Sequence, residues 1–282
     1  MNKLFLLLTL LLFNFLTSHS SALASPARFW QVQSIDTMKY SRDVARQYSK
    51  DYGYDSVIDA QVKVISETGA THVAIATPYD SEFVPFLDRW VKTARKYKLS
   101  VWFRGNLSGW ENWFGYGDIT PSEHTDKIIE FITQNQQLFA DGDVFTSCPE
   151  CENGGEGDPR QTGKAKEYRQ FLISEHTQVK KAFNSLNKNV VTNFYSMNGD
   201  VAKLIMDRET TTALGGIVTI DHYVKNPEKL ISDIKDLASK SGGLIVLGEW
   251  GAPIPDIHGK MTEKQQADWL QTALQLLSKE PS

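Results

Sequence analysis

The stretch "THVAIATPYDSEFVPFLDRWVKTARKYKLSVWFR", residues 71–104, contains the unit from which the rest of the chain is built. "THVAIAT" (71–77) is a short apolar run with β-branched residues, the pattern of a buried strand. "SEFVPFLDRWVKTARKY" (81–97) spaces its apolar residues as one face of a helix, and "LSVWFR" (99–104) returns to a strand pattern. Strand, helix and strand in this order make a crossover unit, in which the two strands run parallel.

Working outward, the same alternation covers nearly the whole chain. Further strand runs are "RFWQVQSI" (28–35), "DVFTS" (143–147), "NVVTNFY" (189–195), "GGIVTI" (215–220) and "GLIVLGE" (243–249). Between and after them lie amphipathic stretches at 56–69, 122–139, 163–186, 227–242 and 262–280. The strand runs are apolar throughout, as strands covered on both faces are. A doubly wound open sheet would carry a glycine-rich phosphate loop after its first strand, yet residues 36–44 read "DTMKYSRDV". The expected fold is therefore α/β, a (β/α)8 TIM barrel. Only seven strand runs are present, so the chain is expected to lack the eighth strand at its C-terminal end and to be an incomplete version of a longer protein. An open barrel exposes two strand edges.

The first residues read as a secretory signal peptide: Lys3, the apolar run 4–16, then "TSHSSALA" with cleavage expected after Ala24. The run is broken by Thr9 and Asn14 and is short for a membrane span. A secreted or periplasmic protein of residues 25–282, one domain, monomeric and without a membrane anchor, is expected. Cleavage removes one lysine and no acid, which moves the formal charge from -4 to -5. Mild acidity with no basic block argues against nucleic acid or an anionic membrane as a main partner and fits a polar, mostly uncharged ligand. Cys148 and Cys151 can form one short local disulfide, which staples little of a fold. A thiol oxidoreductase using this pair is a weaker reading, because Pro149 and Glu150 fill the middle and an Asn-Gly-Gly loop follows.

Polar and aromatic residues gather just past the strand ends, where a barrel builds its active site. They include Tyr79 and Asp80, Arg104 and Asn106, Glu150 and Glu152, Asn193 and Tyr195, Asp221 to Tyr223, and Glu249 with Trp250. Cleaving a glycosidic bond usually takes two carboxyl groups facing each other across the sugar. Glu249 ends the seventh strand run and Glu150 or Glu152 follows the fourth, on the facing wall. With "EWG" at 249–251 and "IDHY" at 220–223, the sequence resembles the retaining (β/α)8-barrel enzymes of glycoside hydrolase clan A, including the family 5 cellulase-like members.

The resemblance implies Glu249 as nucleophile, Tyr223 as its hydrogen-bonding partner, and His222 as a contact for sugar hydroxyls. It implies Glu150 as acid/base, with Glu152 as competitor, and a carboxyl separation of roughly 5 to 5.5 Å with retained configuration. Family members carry asparagine before the acid/base, where this chain has Pro149 before Glu150 and Cys151 before Glu152. Glu150 must hold a proton near neutrality, which requires partial burial or a nearby anion. For sugar binding, "WFRGNLSGWENWFGYGD" (102–118) offers Trp110 and Trp113 as platforms, with Trp250 beside Glu249. Trp102, Trp90, Trp30 and Trp269 read as packing residues. Arg104 either serves the site or pairs with an acid inside the rim, and Asn193 and Tyr195 are candidate contacts. Asn106 in "NLS" matches a glycosylation sequon, read as a chance match beside the site. The expected activity is double-displacement hydrolysis of β-linked oligo- or polysaccharides, with no metal or organic cofactor. The alternative is a barrel that binds carbohydrate without cleaving it.

Overall fold

The computed structural model describes residues 32–280. The expected signal peptide, Trp30 and the start of the first strand run lie outside the described residues. The strands are β1 (Ser34–Asp36), β2 (His72–Ile75), β3 (Ser100–Phe103), β4 (Val144–Phe145), β5 (Ser196–Asn198), β6 (Ile217–Asp221) and β7 (Leu244–Glu249). All pair in parallel, in the orders β1-β2-β3-β4 and β5-β6-β7, and a parallel bridge from Val144 to Val191 joins the two halves. Sequential order with parallel pairing is the topology of a (β/α) barrel.

The main helices are α1 (Asp55–Glu67), α2 (Val84–Lys96), α3 (Pro121–Gln134), α4 (Ala165–Ser185), the short α5 (Gly199–Ile205) and α6 (Arg208–Ala213), α7 (Pro227–Ser241) and α8 (Glu263–Leu277). Their ends are chemically marked. Thr120 and Glu123 form a reciprocal capping box on α3, and Thr262 and Gln265 do so on α8, each such cap being worth about 1 kcal/mol. In α2 the stripe Phe86, Leu87, Trp90, Val91 and Ala94 is buried against the strands, which is why the helix lies where it does.

Inside the barrel, Ala74, Trp102, Val144 and Phe194 are buried together, with Val32, Val191, Ile217 and Val246 packed against them. These residues come from the whole circuit of the wall, from the approach to β1 around to β7. Trp90, Trp102 and Trp269 are packing residues, as the sequence indicates.

The fifth strand differs from its expected place. The apolar run 189–195 does lie against β4: the Phe145 N–H donates to Val191 and the Val191 N–H to Asp143. Its regular ladder with β6, however, begins only at Ser196. Before that point the Asn193 side-chain amide donates to the Gly215 carbonyl, a side-chain contact in place of main-chain pairing.

Among the described residues no strand follows β7. Ile35 on β1 and Leu244 on β7 are 40% and 58% exposed, values that mark the two edges left unpaired among the described residues. None of the described helices is long and apolar enough to cross a membrane.

Candidate active site

Glu249 owes its place to the glycine before it. Along β6 and β7 the register runs Ile220 with Leu247 and then Asp221 with Glu249, so Gly248 is an extra residue, a bulge that re-aims the end of β7. A side chain at Gly248 has no room, since its Cβ would lie 2.3 Å from an Asp221 carboxylate oxygen. The bulged Gly248 carbonyl accepts a hydrogen bond from Arg104 Nη1 at 2.8 Å. Glu249 is then held from two sides. Tyr223 Oη donates to Glu249 Oε2 at 2.9 Å, and Arg104 Nη2 lies 3.1 Å from Oε1.

Arg104 is the centre of a buried charge cluster. It rises from the end of β3, crosses to the far wall, and pairs with Asp221 Oδ2 at 2.8 Å and with Ser196 Oγ at 3.2 Å. Burial works against its charge, but Asp221, Glu249, Asp36 and Glu150 together hold its pKa above the ordinary value. Burial pushes the Asp221 carboxyl up even beside the guanidinium, with Glu249 and Glu150 adding to the rise. One cation serving several acids leaves the group with more negative charge than it can neutralise. Partial burial and the adjacent Glu249 raise the Tyr223 hydroxyl, which stays a proton donor.

Glu150 stands on the loop after β4. Burial first, and then the negative charges of Glu249 and Glu152, raise its carboxyl to about 7 against the opposing pull of Arg104 and Asn153. That interaction with Glu249 places both carboxyls in one field. Glu152 points elsewhere: it is 4% exposed, accepts the Asn198 backbone N–H at 2.6 Å and takes the Tyr168 hydroxyl at 3.1 Å. It anchors the loop to β5 and α4.

Two more acids belong to the rim. Asp36, at the end of β1, is open to solvent, yet protein crowds its carboxyl enough that desolvation raises it, partly offset by the Met38 backbone N–H and Arg104. Glu111 is raised to about 7 by burial, against the hydrogen bond from Asn106 and the charge of Arg42, with Glu150 and Glu152 adding. The sequence carried signals for both. Asp36 directly follows the first strand run, as the other rim residues follow theirs, and Glu111 sits between Trp110 and Trp113.

The remaining candidates divide. Trp113 is half-buried in its loop, with the Arg42 guanidinium 4.9 Å over its ring. Trp110 is not at the surface: it is 3% exposed, donates to the Cys151 carbonyl at 3.0 Å and stacks on Phe171. Its own glycine-flanked loop looks open in sequence, but Gly154 and Gly155 of the loop after β4, which have no side chain to clash with it, let that second loop close over the indole. Asn106 is fully buried; its amide nitrogen bonds Glu111 at 3.1 Å and its oxygen pairs with His124 at 2.8 Å, so no glycan fits there. His124 continues to Glu175, which also takes the Ser147 and Thr125 hydroxyls, a polar chain running beneath the β4 loop.

His222 turns its ring away from Glu249, with Nε2 2.8 Å from Asp233 on α7. Tyr195 is buried against His176, and Asn193 serves the start of β6, the end opposite the rim. Trp250 is half-buried, leaning on Trp269 with ring centroids 6.2 Å apart.

No protein-family model matches this chain, and no curated protein matches it. Solved structures do resemble it. A β-glucuronidase of Bacteroides uniformis matches with a TM-score of 0.52 at 12% identity, over 80% of this chain and 27% of that one. A β-mannanase of Thermomonospora fusca, solved with mannotriose, matches with a TM-score of 0.51 at 10% identity, over 87% of this chain and 75% of that one. A GH5 cellulase from an Icelandic hot spring isolate gives 0.51 and 11%, over 88% and 73%. The chain thus spans about a quarter of the glucuronidase and about three quarters of the other two. At such identities it is the fold that is shared, and this chain has the (β/α)8-barrel fold of those enzymes, with seven of its strands among the described residues.

Proposed function

We propose that the protein is a retaining glycoside hydrolase acting on β-linked oligo- or polysaccharides. One observation carries the reading: a proton-holding carboxyl after β4, Glu150, feels the charge of Glu249, which Tyr223 and Arg104 hold at the end of β7. Glu150 holds its proton up to about 7 through burial and the charge of Glu249. Glu249 is oriented by the Tyr223 hydroxyl and the Arg104 guanidinium. A carboxyl that keeps its proton up to neutrality is what the acid role requires.

In the first step a Glu249 carboxylate oxygen attacks the anomeric carbon while Glu150 gives its proton to the departing glycosidic oxygen. The glycosyl group is then esterified to Glu249. In the second step Glu150, now a carboxylate, takes a proton from water, the water oxygen bonds to the anomeric carbon, and Glu249 leaves with its electron pair. Two inversions give retention. Arg104 and Tyr223 orient the Glu249 carboxylate in both steps, and the half-buried Trp113 offers an aromatic ring for the apolar face of a sugar. With the leader at residues 1–24 we read the enzyme as exported.

The test is Glu249→Gln against a panel of aryl β-glucosides and β-mannosides. The expected result is loss of turnover by about a thousand-fold or more with oligosaccharide binding retained. Normal turnover in that variant refutes the assignment. Pro149, standing where the resembled enzymes carry asparagine, favours one second reading, a barrel that binds sugar without cleaving it. That reading requires the unmutated protein to bind glucans or mannans and to leave the whole panel intact.

A further inference from the structure

Glu249 and Glu150 are held in different ways. Glu249 is tethered through its carboxylate, whereas the Glu150 carboxyl has a single side-chain hydrogen bond, a long one from Asn153 Nδ2 at 3.3 Å. What fixes Glu150 is its backbone. The residue has φ of +44°, in the left-handed region that a side chain other than glycine's disfavours, so the surroundings must impose it. Three constraints do so. The Glu150 N–H donates to the Ser196 carbonyl at 2.8 Å, and the Glu150 carbonyl accepts from the Asn153 N–H at 2.8 Å. The third is covalent: Cys148 and Cys151 are joined, which closes a ring around Pro149 and Glu150.

The ring is itself anchored. Both cysteines are buried, Cys148 Sγ lies 3.8 Å from the Asn106 amide nitrogen, and the Cys151 carbonyl takes the Trp110 indole N–H at 3.0 Å. Pro149 removes one further backbone rotation inside it. A bridge between residues three apart constrains the unfolded chain less than a long one does, so general stability is a poor account of why it stands here. Its position speaks for another role. We infer that the Cys148–Cys151 disulfide is a positioning device for catalysis, holding Glu150 in the one backbone conformation from which its carboxyl reaches the leaving-group oxygen. The inference rests on Glu150 being the acid/base and deepens that reading.

Such a role is separable from a merely structural one by leaving-group chemistry. A departing dinitrophenolate needs no proton, while a departing phenolate or sugar alkoxide does. The measurement is kcat/KM, which reports the first bond cleavage, on a dinitrophenyl and a phenyl β-glycoside of the sugar that the panel identifies. It compares the unmutated enzyme, Cys148→Ala/Cys151→Ala, and Glu150→Gln. In the double variant, turnover of the phenyl glycoside is expected to fall by about a hundred-fold or more and that of the dinitrophenyl glycoside by less than about ten-fold. The alkaline limb of its pH profile for the phenyl glycoside should flatten as well.

Equal losses on both substrates, or none on either, overturn the inference. If Glu150→Gln shows the leaving-group dependence and the cysteine variant does not, the inference falls while the acid/base assignment stands. If Glu150→Gln lacks the dependence, the assignment falls and the inference with it. Should the double variant not fold, excess dithiothreitol provides the same comparison in the unmutated chain. The reagent transfers two electrons and two protons to the bridge, giving two thiols and the cyclic disulfide of the reagent.

Discussion

Replacing Glu150 by glutamine should make the protein more stable in alkaline solution and leave it nearly unchanged in acid. In the folded protein the carboxyl titrates at about 7, against 4.5 for an ordinary glutamate, because burial and the charge of Glu249 disfavour its ionised form. At neutrality this means about half the molecules are protonated at Glu150, compared with about one in 300 for an unperturbed carboxyl. The same difference has a cost in stability. Between those two values the folded state binds more protons than the unfolded chain, so stability falls as pH rises through the window and stays lower above it. The loss reaches about 3 kcal/mol, an upper figure because the loop and its neighbours relax around a charged Glu150.

Glutamine has nearly the same shape and does not titrate, so the variant lacks this fall. Urea unfolding of both proteins at pH 4.5, 6, 7 and 8.5, buffer values chosen at about these points to bracket the window, gives the difference directly. That difference should grow from near zero to about 2 to 3 kcal/mol, with most of the change between about pH 5 and 7.5. Using the difference between two proteins cancels groups that do not feel Glu150, such as Asp36, while Glu111 and Asp221, which Glu150 helps to raise, add a smaller contribution of the same sign. A gap that stays constant with pH, or that opens only below pH 4, refutes the account of a proton held at Glu150 by burial and Glu249.

Two further outcomes can be checked independently. Tyr223→Phe removes the 2.9 Å hydrogen bond to Glu249 Oε2 and little else, so kcat should fall by about ten- to a hundred-fold with KM nearly unchanged, read on the aryl glycoside panel. Gly248→Ala sets a methyl group against the Asp221 carboxylate, where the Cβ would stand 2.3 Å away, so the bulge must move and Arg104 loses its aligned partners. Thermal unfolding should then show a loss of about 2 to 4 kcal/mol, with activity falling further than stability alone explains; a variant as stable and active as the parent would falsify the bulge argument.

What the sequence determined by itself was everything that repeats or lies at a strand end. Apolar runs such as 71–77 and 243–249 report which residues avoid water, the helical stripes between them report the covering layer, and together they require parallel strands in sequential order. The acids at 150 and 249 were visible because each interrupts an apolar pattern at a point where a barrel turns toward its rim. Partnership was a different matter, because it depends on which side chains meet through space. Glu150 and Glu152 are alike in sequence, and only the packing of Tyr168 and Asn198 against one of them separates anchor from site. Trp110 looks open in a glycine-flanked loop, and only the fold shows Gly154 and Gly155 of the β4 loop closing over it. His222 and Asn193 stand beside strand ends and yet are claimed by Asp233 and Gly215. The bulge at Gly248 needed the register with β6 to be seen at all, and the backbone of Glu150 needed the ring formed by Cys148 and Cys151. Periodicity is a local record of burial, whereas the charge and geometry of a site are sums over residues far apart in the chain, and tertiary structure alone brings those residues together.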